Sequence, residues 1–136
     1  MEQTSEATAE TEGKTVVVSR TLKQPVKVVW DVLMTDDGAE ALLGPGAKLG
    51  AKGHTWQAYS GRGGVIRSFH PLEEIRFSYR SKDDAKPSMV TLNLKPAGEG
   101  ETEIEIEHSN LGPDIDREWA KDRWSAALER IESDAL

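Results

Sequence analysis

Thr102-Glu103-Ile104-Glu105-Ile106-Glu107-His108 is the stretch whose reading decides the fold. Side chains alternate polar and apolar along it without a break. In an extended strand, neighbouring side chains point to opposite faces. Glu103, Glu105 and Glu107 therefore form a solvated row, while Ile104, Ile106 and, in the same phase, His108 face inward. A strand wet on one side belongs to an antiparallel sheet with one covered face. Working back along the chain, Val90 to Lys95 (VTLNLK) alternates in the same way, and Ile75 to Arg80 (IRFSYR) sends Ile75, Phe77 and Tyr79 inward. Further back, His54 to Tyr59 (HTWQAY) and Val65 to Phe69 flank Ser60-Gly61-Arg62-Gly63-Gly64, which has hairpin chemistry. His54 shares the phase of Trp56. Pro71 ends the second of these strands, and Pro96 to Gly100 predicts a turn. Arg67 shares its phase with Val65 and Phe69 while Ile66 and Ser68 take the other, so one register must carry a bulge or a snorkelling side chain.

The flanks supply helices. Thr15 to Leu22 (TVVVSRTL) is β-branched and reads as a first strand. Pro25 suits a first helical turn, and Val26, Val29, Trp30 and Leu33 follow at spacings of three and four. Thr35-Asp36-Asp37 offers a new N-cap, and Gly44-Pro45 stops a second short helix. At the far end, Gly112-Pro113-Asp114 predicts a helix start. Ile115, Trp119, Trp124, Ala127, Leu128 and Ile131 then make one apolar stripe, with Asp116, Arg117, Lys121, Asp122, Arg130 and Glu132 outside it. A helix of about twenty residues is ~30 Å long, enough to cover a sheet. One apolar helix against one apolar sheet face is a two-layer α+β domain.

Composition narrows the partners. The 136 residues carry 24 acids, 17 bases and no cysteine, a net charge of −7. Cysteine's absence excludes disulfides, zinc–thiolate sites and thiol catalysis. Residues 1–13 hold four of the glutamates and no base, and read as a disordered acidic tail ahead of a single domain over 14–136. Without the tail, 20 acids face 17 bases, and no basic run forms a phosphate-binding stripe, so nucleic acid is not expected. No apolar run approaches the ~20 residues of a membrane span, and the first fourteen residues lack a signal-peptide pattern. The expectation is a cytoplasmic protein without membrane insertion.

The order strand, two short helices, antiparallel strands and long final helix resembles the START-like or helix-grip superfamily (SRPBCC). Within it, the nearest likeness is to the branch of the activator of heat-shock protein 90 ATPase homologues. Pro25-Val26-Lys27-Val28-Val29-Trp30-Asp31 resembles the family's Pro-x-x-x-Val-Trp helix opening. Gly64-Val65-Ile66, Pro71 and Ile75 to Tyr79 resemble its central strand pair. Gly100-Glu101-Thr102 leading to His108-Ser109-Asn110-Leu111 resembles its last strand, and Trp124, Leu128 and Ile131 its closing helix. Two departures stand out. Leu42-Leu43-Gly44 occupies the place where members often carry a tryptophan at the pocket mouth, and the chain leaves no room for the separate amino-terminal domain of the eukaryotic co-chaperone.

The resemblance implies a curved sheet wrapped around the final helix, often with a cavity between them that takes an apolar molecule. The residues that would line it are Trp30, Trp56, Phe77, Tyr79, Leu92, Ile106, His108, Trp124 and Leu128. The same rings would also serve as ordinary core filler. His108 reads first as a structural hydrogen-bonding group. His54, His70 and His108 lack metal-ligand spacing, no nucleophile motif is present, and no cofactor, metal or catalytic residue is assigned. Gly61-Arg62-Gly63-Gly64 lacks the ending of a phosphate loop. Three functions stay open: a small-molecule-binding module, a co-chaperone-like domain that docks on a chaperone, and a polyketide cyclase or aromatase-like enzyme. Non-enzymatic binding is the leading expectation, by a monomer or weak dimer.

Overall fold

The computed structural model describes residues 15–49, 52–59, 61–80, 87–111 and 116–135, with side chains to 133. The acidic tail, Ser60 and the expected helix start at 112–115 lie outside these residues. In chain order the elements are β1 (Val16–Leu22), α1 (Val26–Leu33), α2 (Asp36–Leu43), β2 (Thr55–Gln57), β3 (Gly63–His70), β4 (Glu74–Tyr79), β5 (Ser88–Gly98), β6 (Glu101–Ser109) and α3 (Arg117–Arg130). A π-helical turn over Ile131–Ala135 extends α3.

Local chemistry sets the helix ends. Pro25 stands at the cap of α1, where its carbonyl accepts from the Val28 and Val29 N–H groups at 3.0 and 3.1 Å. Thr35 caps α2 through its hydroxyl, which accepts from the Gly38 N–H at 3.1 Å. The Asp116 carboxylate caps α3 by accepting from the Trp119 N–H at 3.0 Å.

The six strands form one curved antiparallel sheet in the order β1-β6-β5-β4-β3-β2. The β6 alternation survives intact: Thr102, Ile104, Ile106 and His108 are buried, and the glutamates between them are not. Its inward residues align with those of β5, Leu92 opposite Ile106 and Val90 opposite His108. The Arg67 conflict resolves as a bulge. Ile66 pairs with Phe77 and Ser68 with Arg76, which leaves Arg67 as the extra, exposed residue and returns Phe69 to the inward phase opposite Ile75. At the other bend the expectation of a turn from Pro96 is corrected. β5 continues to Gly98 through an irregularity between Pro96 and Gly98, and the chain turns at Glu99-Gly100. A bulge is where a strand tolerates a proline.

The inward sheet face, α1, α2 and α3 share one hydrophobic core. From α3 it receives Ala120, Trp124, Ala127 and Leu128, followed by Ile131. Trp119 is a second correction: it is 40% exposed and lies under the Arg62 guanidinium, 5.6 Å from its ring centroid. The step from Trp119 to Trp124 is five residues, or roughly 500° of helical rotation, so the two rings point about 140° apart.

Candidate functional site

Between β2–β6 and α3 lies a layer of rings. Trp56 meets Phe77 edge-on at 5.7 Å between centroids and Tyr79 at 6.0 Å. From the helix, Trp124 meets Phe77 at 6.4 Å, Tyr79 at 5.8 Å and His108 at 5.8 Å, while Tyr79 meets His108 at 5.1 Å. Edge-to-face contacts of this kind each contribute about 0.5–1.5 kcal/mol beyond burial. Trp56 reaches the layer because Gly64, opposite it on β3, has no side chain. A Cβ there would run into the Ser78 carbonyl and come within 2.8 Å of Trp56 Nε1. Instead the indole N–H donates to that carbonyl at 3.1 Å.

His108 is fully buried, and its protonation follows from its partners. Trp124 Nε1 can only donate, and it lies 3.0 Å from His108 Nδ1, so Nδ1 is the acceptor. The proton sits on Nε2, which donates to Ser88 Oγ at 2.6 Å, and the Ser88 hydroxyl donates in turn to the Tyr79 carbonyl at 3.1 Å. Every polar atom of this relay is used. Desolvation, helped by the nearby Arg123 charge, lowers the His108 pKa to about 4, so the ring is neutral near pH 7. A neutral, doubly bonded imidazole orients the helix on the sheet and is poorly placed to move protons.

The far side of the layer is different. The Tyr79 hydroxyl is buried with no hydrogen-bond partner, and so is Arg123 Nε. Arg123 stacks over Trp124 at 5.0 Å and donates from Nη2 to the Leu42 carbonyl at 3.3 Å. Burial and repulsion from Arg62 push its pKa below the usual guanidinium value, with Arg130 adding to this. Attraction to Tyr79 and the hydrogen-bonding approach of its hydroxyl act in the opposite sense, although the approach falls short of a complete hydrogen bond. Gly44, at the end of α2, adopts φ +120°, a conformation that favours glycine. A Cβ on it would lie 3.8 Å from Arg62 Nη1 and 3.9 Å from Arg123 Nη2, so both guanidinium groups converge on this turn.

All nine residues expected from the resemblance are buried. Trp56, Phe77, Tyr79, His108 and Trp124 come together, with Leu128 one helical turn beyond Trp124. Leu92 and Ile106 pair with each other in the sheet floor. Trp30 stands apart from these rings and packs on Phe69 at 5.3 Å. His54 is corrected: β2 begins at Thr55, and the His54 side chain is exposed. Arg123 and Arg62 escaped the sequence reading. The signal for Arg123 was available, since its helical neighbours Trp119, Ala120, Ala126 and Ala127 offer no acid to pair with it. Among the described residues, no three potential ligand side chains gather into a metal site, and no helix is long and apolar enough to cross a membrane.

Comparison with known proteins agrees with this architecture. The profile of the family described as activator of Hsp90 ATPase homolog 1-like protein matches residues 21–134. A crystal structure of a protein from Mesorhizobium loti is 26% identical, with a TM-score of 0.73 over 88% of this chain and 94% of that one. An HSP90 activator from Plasmodium falciparum is 20% identical, with a TM-score of 0.74 over 88% of this chain and 94% of its own. The Aha1 dimer from Colwellia psychrerythraea is 15% identical, with a TM-score of 0.73 over 89% and 95%. No sequence among the curated proteins matches the chain.

Proposed function

This chain belongs to the family of activator of Hsp90 ATPase homolog 1-like proteins, and on that premise we propose that it is a binding module that holds an apolar small molecule between the sheet and α3. The observation that carries the reading is the Tyr79 hydroxyl. It is buried inside the ring layer and has no partner. An unpaired buried hydroxyl costs about 1–3 kcal/mol, a cost that a bound molecule with an acceptor removes. Each Å² of apolar ligand surface enclosed beside the rings adds ~25 cal/mol. Catalysis gains less support, because His108 is committed to a closed hydrogen-bond relay.

A screen of fatty acids, flavonoids and sterols by NMR shift perturbation tests the proposal. Shifts concentrated on Trp56, Phe77, Tyr79 and Trp124 are expected. Compounds that shift only the Glu103–Glu105–Glu107 face, or no shift from any class, would refute it.

A second reading is favoured by the family itself and by the likeness to the Plasmodium activator: docking on a heat-shock protein 90 chaperone through the outer surface. Stimulation of the chaperone's ATPase by this chain at tens of micromolar is the result that reading requires.

A further inference from the structure

We propose that Tyr79, Arg123 and Arg62 form a carboxylate subsite at the Gly44 end of the ring layer, so that the bound molecule is an amphipathic acid with its apolar body among the rings. The inference rests on the ligand-binding reading above and names the class of ligand for it.

Two guanidinium groups converge on one turn, 3.8 and 3.9 Å from the position a Gly44 Cβ would take. Such a convergence of like charges calls for a counter-charge, and no ion pair to either arginine is found among the described residues. Glu40, on the adjoining helix, spends its Oε2 on the Gly46 N–H at 3.0 Å. Each guanidinium lies over an indole, Arg62 over Trp119 and Arg123 over Trp124, and stacking fixes the plane while leaving edge N–H donors for an acceptor. Beside them the Tyr79 hydroxyl and Arg123 Nε are buried donors with nothing to donate to.

Water would satisfy the hydrogen bonds and leave the charge; an anion satisfies both. A carboxylate is favoured over a more highly charged group by the setting. The site lies at the C-terminal end of α2, where the Leu42 carbonyl already faces Arg123. That helix end carries partial negative charge and opposes a dianion more than a monoanion. Two planar oxygens also match the guanidinium fork.

The test uses the full chain and three acid–alcohol pairs with different bodies: dodecanoate and dodecanol, cinnamate and cinnamyl alcohol, and a cholanoate and its alcohol. Calorimetric titration should show the acid of at least one pair binding roughly tenfold or more tighter than its alcohol, the usual scale of a charge-assisted contact. In R62Q, a substitution at a half-buried position, that preference should fall to within about threefold. Y79F should also weaken the acid, with unchanged circular dichroism showing both variants folded. Equal binding of acid and alcohol, or a preference that survives R62Q, overturns the subsite and leaves the binding module standing. If no member of any pair binds below about 1 mM, the subsite and the module both fall.

Discussion

Replacing His108 with Gln and following stability against pH tests the buried relay quantitatively. Unfolded, the imidazole titrates near 6.5; folded, burial and then the Arg123 charge lower it to about 4. Between those values the unfolded chain binds the extra proton. Stability is therefore complete above about pH 6.5, falls as the pH drops, and levels off near pH 4. The whole gap corresponds to about 3 kcal/mol, and roughly a tenfold loss in the folding constant accrues between pH 7.5 and 5.5. Many of the 24 carboxylates titrate at the acid end of this range as well. The comparison with H108Q removes them, since Gln keeps one acceptor and one donor but does not titrate. Urea unfolding followed by tryptophan fluorescence at both pH values, above the isoelectric point of about 5.0, supplies the measurement. The parent should lose about ten times more of its folding constant than H108Q. Parallel losses in the two proteins would refute the buried neutral ring.

Two further substitutions probe the same layer. Gly64→Ala drives a methyl group into the Ser78 carbonyl and against Trp56, so thermal unfolding should show a loss of about 3 kcal/mol or more, with a changed tryptophan spectrum. Ser88→Ala leaves the His108 Nε2 proton without an acceptor, and denaturant titration at neutral pH should show a loss of about 1–3 kcal/mol.

The sheet was readable in the sequence because period-two alternation is a direct print of strand geometry, and 102–108 has it without interruption. The inward rings Phe77 and Tyr79 followed from that phase alone. His54 did not, because β2 is only three residues long and alternation read two residues past its ends has no strand behind it. Arg67 announced a conflict but not its solution, since the choice of which strand absorbs an extra residue belongs to the pairing with β4. Pro96 misled for a related reason: a proline ends a regular ladder, whereas here the ladder is already irregular. The Arg62–Arg123 convergence is tertiary, joining a hairpin turn to a helix sixty residues on through the bend at Gly44.

The partnership of β1 with β6 has a consequence for how the chain is made. Val16 finds its neighbour at His108, and Leu22 at Thr102, so β1 leaves the ribosome well before the strand it pairs with. The β3-to-β6 meander closes by neighbouring hairpins and is free to assemble during synthesis, while the valine-rich opening strand has no edge to join until β6 emerges. The Arg20–Glu132 ion pair likewise joins β1 to the turn that extends α3, and it too must wait for the later segment.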